Sequence, residues 1–264
     1  PSRMGTALHS GIERSWDSSN LYELLESLNY PKNVIEKVLV NPKPEDVKED
    51  SICIYMEKRT IKKVGKYKIS GKFDIVIEGI LEDFKSTGTY SYIAQTNNEK
   101  HSQQGSIYKW LNPTLITSDQ MKIQYIFTDW STMKARQDPK YPQSRLVEQL
   151  IPLMTVEDTQ IFIENILKQV EYLETKPQSD LPLCTDEELW RTADTFKYYK
   201  NPAKTDRSTK NFDNMPDAII RHQADGLVGV IKTFPGQVKR CTYCNVIDIC
   251  DQAQDFIKAG TLVV

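Results

Sequence analysis

No stretch of this chain is apolar over the roughly 20 consecutive residues that a bilayer-spanning helix needs, and its first residues lack the basic, apolar and small-residue succession of a signal peptide. Both absences lead us to expect an intracellular, cytoplasmic protein with no membrane contact. The chain opens at Pro1, close upstream of a histidine motif described below, so a natural extension before Pro1 is also expected. A bulk charge of one sign is missing too: 34 Lys and Arg stand against 36 Asp and Glu, for a net charge of −2. There is thus no overall footprint of a protein that coats nucleic acid, and any such surface must be local. Two basic stretches are candidates: Lys58, Arg59, Lys62, Lys63, Lys66, Lys68 and Lys72, then Lys197, Lys200, Lys204, Arg207 and Lys210. The plainer reading is that these charges solvate a strand edge and a loop. The sequence shows no internal repeat.

Apolar periodicity predicts helices over residues 4–16, 21–28 and 34–39, closed by Pro42 and Pro44. From residue 51 the period becomes two: Ile52, Ile54 and Met56 alternate with Cys53, Tyr55 and Glu57, and strands follow over 66–69, 72–77 and 80–85. A helix over 101–111 stops before Pro113, and 121–130 and 145–153 read as strands able to pair. A long helix over 156–174 opens with Thr155 and Asp158, a weak form of capping box, and buries Ile163, Ile166, Leu167 and Val170. A second box, Thr185 with Glu188, predicts another helix immediately after Cys184, and the polar run 201–216 reads as a loop. With 39% hydrophobic residues, the 264 residues suit one domain of mixed α/β layers: N-terminal helices over 1–45, a core over 50–153 and a helical region over 155–264.

The segment 71–87, GKFDIVIEGILEDFKST, carries the most chemical information. A two-residue turn at Glu78-Gly79 pairs Ile77 with Ile80, Val76 with Leu81, Ile75 with Glu82 and Asp74 with Asp83. Directly opposed residues hold their Cβ atoms about 4.5–5.5 Å apart, where like charges repel. A divalent cation such as Mg²⁺ or Mn²⁺ relieves that repulsion, because hard carboxylate oxygens suit it and its charge keeps both acids ionised. Lys85 lies two residues beyond Asp83 and so on the same strand face. Two carboxylates and a lysine on one sheet wall suit phosphodiester hydrolysis, in which a metal polarises the phosphate and activates a water while the lysine orients that water and offsets developing charge. The Phe84 carbonyl is a further candidate oxygen ligand. The alternative, a solvent-facing hairpin of ordinary charges, sits poorly with the apolar residues Phe73, Ile75, Val76, Ile77 and Leu81 around them.

At these residues the sequence resembles the PD-(D/E)xK nucleases, with Asp74 as the first acid and Asp83-Phe84-Lys85 as the D-x-K element. Gly5-Thr6-Ala7-Leu8-His9 is similar to the G-T-x-x-H element of the RecB-like branch, whose histidine ligates the catalytic metal. Gln104-Gly105-Ser106-Ile107-Tyr108 is similar to its Q-x-x-x-Y element, in which both side chains share a helix face and contact the DNA strand or order the active site. Outside the resemblance, His9 reads as a structural helix histidine, and Gln104 with Tyr108 as a polar helix face. The choice of Gln104 over Gln103 comes from the motif alone. Glu13, one turn beyond His9, either supports it or is plain surface. The resemblance spans residues 5–108 in the expected order.

Five cysteines are present, and Cys241, Cys244 and Cys250 form C-x(2)-C-x(5)-C. Thiolates are soft ligands and an intracellular protein does not normally keep disulfides, so a metal site is the better reading. Zinc and a four-cysteine iron–sulfur cluster both need a fourth ligand. Cys184, in a loop, is the candidate, whereas Cys53 falls in a predicted strand as a small packed residue. The triplet is similar to that of iron–sulfur nucleases of the AddB type and of CRISPR-associated adaptation nucleases, which implies a [4Fe–4S] cluster, with zinc as the alternative. In those relatives the lone fourth cysteine precedes the histidine motif, so here either Cys184 has taken its place or the ligand lay upstream of Pro1. The implied role is structural, pinning the C-terminal segment by closing a long loop.

The resemblance implies a restriction-endonuclease-like core, a central mixed β-sheet flanked by helices, with a cluster-stapled C-terminal helical region. It implies a metal-dependent DNA exonuclease of recombination, repair or phage DNA processing, in a bacterial or phage-infected cell, acting on DNA with a recombination or helicase partner. His9, Asp74, Asp83 and the Phe84 carbonyl would hold Mg²⁺ or Mn²⁺, and Lys85, Gln104 and Tyr108 would complete the site. Two other readings stay open: a non-catalytic DNA-binding module on a degenerate nuclease fold, and a zinc-stapled structural or interaction domain.

Overall fold

The computed structural model describes residues 2–16 and 18–263, with the backbone alone at 2, 18 and 19; Pro1 lies outside them. The chain divides into two compact units, Pro1–Glu171 and Tyr172–Val264. None of the described helices is long and apolar enough to cross a membrane.

The first unit opens with helices α1 (Ser2–Ser15), α2 (Ser18–Ser27) and α3 (Lys32–Ile35). The helix expected over 34–39 ends at Ile35, and Val38–Val40 is instead strand β1, paired in parallel with β2 (Ile52–Met56). The β-branched Val38 and Val40 favour that outcome, because a strand relieves the crowding that a helix imposes at χ1. Strands β3 (Arg59–Val64) and β4 (Tyr67–Lys72) form a separate two-stranded ribbon turning at Gly65, whose φ is 57°. The first basic stretch lies largely on this ribbon.

Strands β5 (Ile75–Ile77) and β6 (Ile80–Thr87) form the expected hairpin, with the pairs Ile77–Ile80, Val76–Leu81 and Ile75–Glu82. Glu78 and Gly79 have φ of 47° and 83°, the paired positive values that the right-handed twist of a two-residue hairpin requires. Helices α4 (Thr89–Ile93) and α5 (Asn98–Leu111) then cross over to β7 (Gln120–Phe127), which runs parallel to β6. After α6 (Thr132–Gln137), strand β8 (Leu146–Pro152) returns antiparallel to β7, and α7 (Val156–Leu173) follows. The result is an α/β architecture around a six-stranded mixed sheet in the order β1-β2-β5-β6-β7-β8.

Phe73, Val76, Leu81, Met121, Ile123, Tyr125, Phe127 and Ile151 form the buried core of this unit. Burial along β7 alternates residue by residue, as its period-two sequence requires. Helix α5 lies so close to the sheet that a Cβ on Gly105 would stand 2.3 Å from Met121 Sδ and 2.8 Å from Leu153 Cδ2. Trp110 is fully buried on the same helix and donates to Gln160 Oε1 at 2.7 Å, tying α5 to α7.

The second unit departs from the helical region expected over 155–264. It contains an antiparallel sheet in the order β10-β9-β11, built of β9 (Thr195–Tyr199), β10 (Lys210–Phe212) and β11 (Val230–Phe234). Helix α8 (Met215–Ala224) packs on the sheet, and α9 (Asp251–Lys258) closes the unit. Strand β10 lies inside the run read as a loop, since three residues are too few for an alternating pattern to show. The helix expected after Cys184 is a single turn. Thr185 and Glu188 do bond reciprocally, at 2.8–3.3 Å, and Leu189 N donates to Thr185 O, but Trp190 at φ 49° ends the turn at once.

The contact at Gly105 predicts that Gly105→Val overpacks the helix–sheet interface and costs about 1–3 kcal/mol, read as a lowered denaturation midpoint. An unchanged midpoint would show that the interface yields freely.

Candidate active site

The hairpin ladder stops at Ile75–Glu82, one pair earlier than expected, so Asp74 and Asp83 do not oppose each other across hydrogen-bonded strands. The reason is local: the Asp74 side chain turns back and its Oδ2 accepts the Phe84 amide hydrogen at 3.0 Å. The Asp74 carbonyl meanwhile accepts from Glu57 N at 3.0 Å. The two acids remain close enough that the charge of Asp83 acts on Asp74.

Asp83 on β6 is 2% exposed. Its Oδ2 lies 2.6 Å from Lys85 Nζ, the same-face neighbour two residues on. This is an ion pair by distance, yet Oδ2 finds no hydrogen-bond partner of good geometry. On the other oxygen, Gln104 Nε2 approaches Asp83 Oδ1 at 3.4 Å, and it also donates to the Tyr108 hydroxyl at 2.9 Å. Gln103 points elsewhere and donates to Glu99 Oε1 at 3.2 Å. The structure therefore brings Gln104 and Tyr108, not Gln103, to the acids, and the close approach at Gly105 makes that reach short enough.

His9 arrives from α1. Its Nε2 donates to the Phe84 carbonyl at 2.8 Å, and its Nδ1 lies 3.6 Å from Asp74 Oδ2. The ring stands edge-on to Phe84. Glu13, one turn on, is exposed and lines a cavity of about 650 Å³ with Ser10, Arg14, Trp16, Asn41 and Glu57.

The electrostatics follow from this crowding. Burial pushes the Asp74 carboxyl above the ordinary range and the charge of Asp83 adds to the rise, while the Phe84 amide, His9 and Lys85 pull the other way. Burial also raises the Tyr108 hydroxyl, against the Gln104 hydrogen bond, which lowers it. A further group, His101, escaped the sequence reading. It is buried on the first turn of α5, edge-on to Tyr125, and its pKa is lowered by burial and then by the charge of Lys85. The signal was present in the spacing, since His101, Gln104 and Tyr108 stand at i, i+3 and i+7 on one helix face.

The donor set suits a hard divalent cation: two crowded carboxylates, one with a buried oxygen lacking an aligned partner, an imidazole, and a carbonyl with a second lone pair to spare. Among the described residues, however, no group of three or more His, Cys, Asp or Glu side chains is already gathered at metal-ligating spacing.

In the second unit, Cys241, Cys244 and Cys250 fall on short turns, with Cys241 and Cys250 packed beside Leu189, Val238, Ala253 and Leu262. Gln252 fastens Cys184 to this segment by donating to its carbonyl and accepting from its amide, both at 2.9 Å. Burial raises the Cys241 and Cys184 thiols; at Cys241 the nearby Cys250, Cys244 and Cys184 add to it, and at Cys184 first Glu188 and then Cys250 and Cys244. The four thiols are thus within electrostatic reach of one another, a soft donor set that suits an iron–sulfur cluster or zinc. Cys53 belongs to the first unit, half-buried on β2.

No protein-family model matches the chain, and no curated protein matches it. Among solved structures, one titled "Crystal structure of SSO0001" is similar at 20% identity with a TM-score of 0.30. The likeness covers 44% of this chain and 50% of that one, so the chain spans about half its length.

The raised pKa of Asp74 has a signed consequence. Because its folded value lies above the ordinary carboxylate value of about 4, ionising it costs stability as pH rises through that folded value. In divalent-free buffer, Asp74→Asn is expected to melt above the wild type at neutral pH, with the gap shrinking as pH falls toward the ordinary carboxylate range. Melting curves across pH check this, and a gap that does not change with pH rules it out.

Proposed function

We propose that the first unit is a metal-dependent deoxyribonuclease of the PD-(D/E)xK type, RecB-like branch, working on DNA ends in recombination, repair or phage DNA processing. The observation that carries the reading is the meeting of Asp74, Asp83, Lys85, His9 and Gln104 at the foot of one hairpin. Three separate elements deliver these groups, and a buried acidic cluster without a task is costly.

His9, Asp74, Asp83 and the Phe84 carbonyl are the groups to hold Mg²⁺ or Mn²⁺. When bound, the cation polarises the scissile phosphate and makes a water more acidic. Lys85 Nζ, fixed by Asp83, supplies positive charge where the phosphate gains negative charge, and orients the attacking water. Gln104 holds Asp83 from the other side, while the Tyr108 hydroxyl, kept neutral, offers a hydrogen bond to the strand. The ribbon leading into Asp74 supports the choice of a polyanion: Lys63 and Lys68 oppose each other across it, and Arg59, Lys62 and Lys63 are exposed. End processing, and a helicase or recombination partner, rest on the resemblance of the motifs alone.

In the second unit, Cys184, Cys241, Cys244 and Cys250 are the groups to hold a [4Fe–4S] cluster, which would cross-link the Cys184 loop to the C-terminal turns.

DNA labelled at either end, incubated with and without Mn²⁺, tests the reading: metal-dependent cleavage is expected, reduced about 100-fold or more in Asp83→Ala and Lys85→Ala. No cleavage by the wild type would leave the non-catalytic module as the better account, and full cleavage by both variants would remove Asp83 and Lys85 from the chemistry. Anaerobically purified protein is expected to be brown, with iron and sulfide bound and the colour lost in Cys241→Ser. Colourless protein carrying stoichiometric zinc would replace the cluster by a zinc staple.

A further inference from the structure

The second basic stretch takes on a definite shape in the sheet of the second unit. On the central strand β9, Lys197 is directly opposite Lys232 of β11 on one side and Asn211 of β10 on the other. The period of two sends Thr195, Lys197 and Tyr199 to one face and Phe196 and Tyr198 to the other. The Tyr198 face is covered: Tyr198 is fully buried, its ring lies 5.8 Å from that of His222 on α8, and its hydroxyl donates to Val228 O at 2.6 Å. The lysine face carries, from β11, Val230, Lys232 and Phe234; Lys232 and Phe234 are exposed, Lys197 is half-buried and Tyr199 is buried, so this face meets solvent at its Lys232–Phe234 end.

Like charges directly opposed on a sheet destabilise it. Among the described residues neither ammonium has an acidic partner; each lies over a ring, Lys197 at 4.3 Å from the centre of Phe234 and Lys232 at 5.6 Å from that of Tyr199. Cation–π contacts hold the two ammonium groups in place without neutralising them. The surroundings add charge of the same sign. Lys200, Lys204 and Arg207 are exposed on the connection between β9 and β10, and residues 195–234 hold seven basic against four acidic side chains in a chain of net charge −2. Of those acids, Asp225 is taken by Arg221 at 3.2 Å, and Asp217 by Asn214 at the start of α8.

We propose that the exposed end of this sheet face binds single-stranded DNA, with a phosphate between Lys197 and Lys232 and a base packed on the exposed ring of Phe234. Paired cations interleaved with aromatic rings on a flat face match a strand that offers both a charged backbone and unstacked bases. An inorganic anion would leave the ring idle, and a duplex hides its base faces. The choice of DNA rests on the nuclease reading above; the surface itself needs no cleavage to bind.

The experiment uses the full chain in EDTA and follows the anisotropy of fluorescent oligo(dT) over a salt series. Lys197→Ala/Lys232→Ala is expected to weaken binding and to lower the steepness of the log–log salt dependence by about 1.4, the share of two single-strand phosphate contacts. Phe234→Ala is expected to weaken it about 5- to 150-fold with the steepness unchanged. Lys197→Arg/Lys232→Arg keeps the charge and should keep the affinity, which separates loss of contact from loss of fold. The proposal is overturned if the alanine variants bind as the wild type does, if the arginine variant loses as much as the alanine one, or if blunt duplex binds as tightly and suffers the same losses. Since no cleavage is read, protein that binds in EDTA but never cuts with Mn²⁺ sinks the nuclease reading alone.

Discussion

The burial of Asp83 beside Asp74 is the constraint on which the first unit turns. An ionised carboxylate taken from water is tolerated only when partners replace its hydration. Here the Lys85 ammonium, the Gln104 amide, the Phe84 main-chain amide and the His9 imidazole each meet one of the two acids. Those partners come from β6, α5 and α1, so the charge problem of one hairpin recruits three elements to a single place. Burial and the charge of Asp83 raise the Asp74 pKa against these partners, so the compensation is incomplete.

Packing makes the recruitment geometrically attainable. A glycine on α5 lets the helix settle onto Met121, and a buried Trp110 bonded to Gln160 fixes it against α7. Gln104 and Tyr108 then reach a hairpin from which a larger residue at 105 would hold them away. The parallel crossover from β6 through α4 and α5 to β7 makes the same helix lie across the strand that carries Asp83 and Lys85.

Electrostatics in this chain are local in both units. The overall balance of charge conceals a ribbon with opposed Lys63 and Lys68 and a sheet with opposed Lys197 and Lys232. Opposed cations on strands are a different object from cations dispersed over a helix, because the ladder holds them together whether or not they repel. Composition averages such features away, and strand register exposes them.

The turn at Glu78-Gly79, the register of the hairpin and the same-face placement of Asp83 and Lys85 were all legible in the sequence, because each follows from a period of two and a turn that needs positive φ. The hairpin alone set Asp74, Asp83 and Lys85 near one another, whereas the arrival of His9, Gln104 and Tyr108 was legible only through resemblance to a motif set. His101 was missed although its helical spacing pointed to it. Strand β1 was hidden in an apolar run that fits helix or strand equally, β10 was too short to show a pattern, and the capping box at Thr185 signalled a turn that Trp190 then ended. The folded chain alone decided that Asp74 leaves the ladder to accept the Phe84 amide, that Gln252 fastens Cys184 to the cysteine triplet, and that two distant lysines meet on one sheet face. Local sequence sets periodicity and turns, which act over a few residues, whereas long-range pairing depends on which surfaces are buried together.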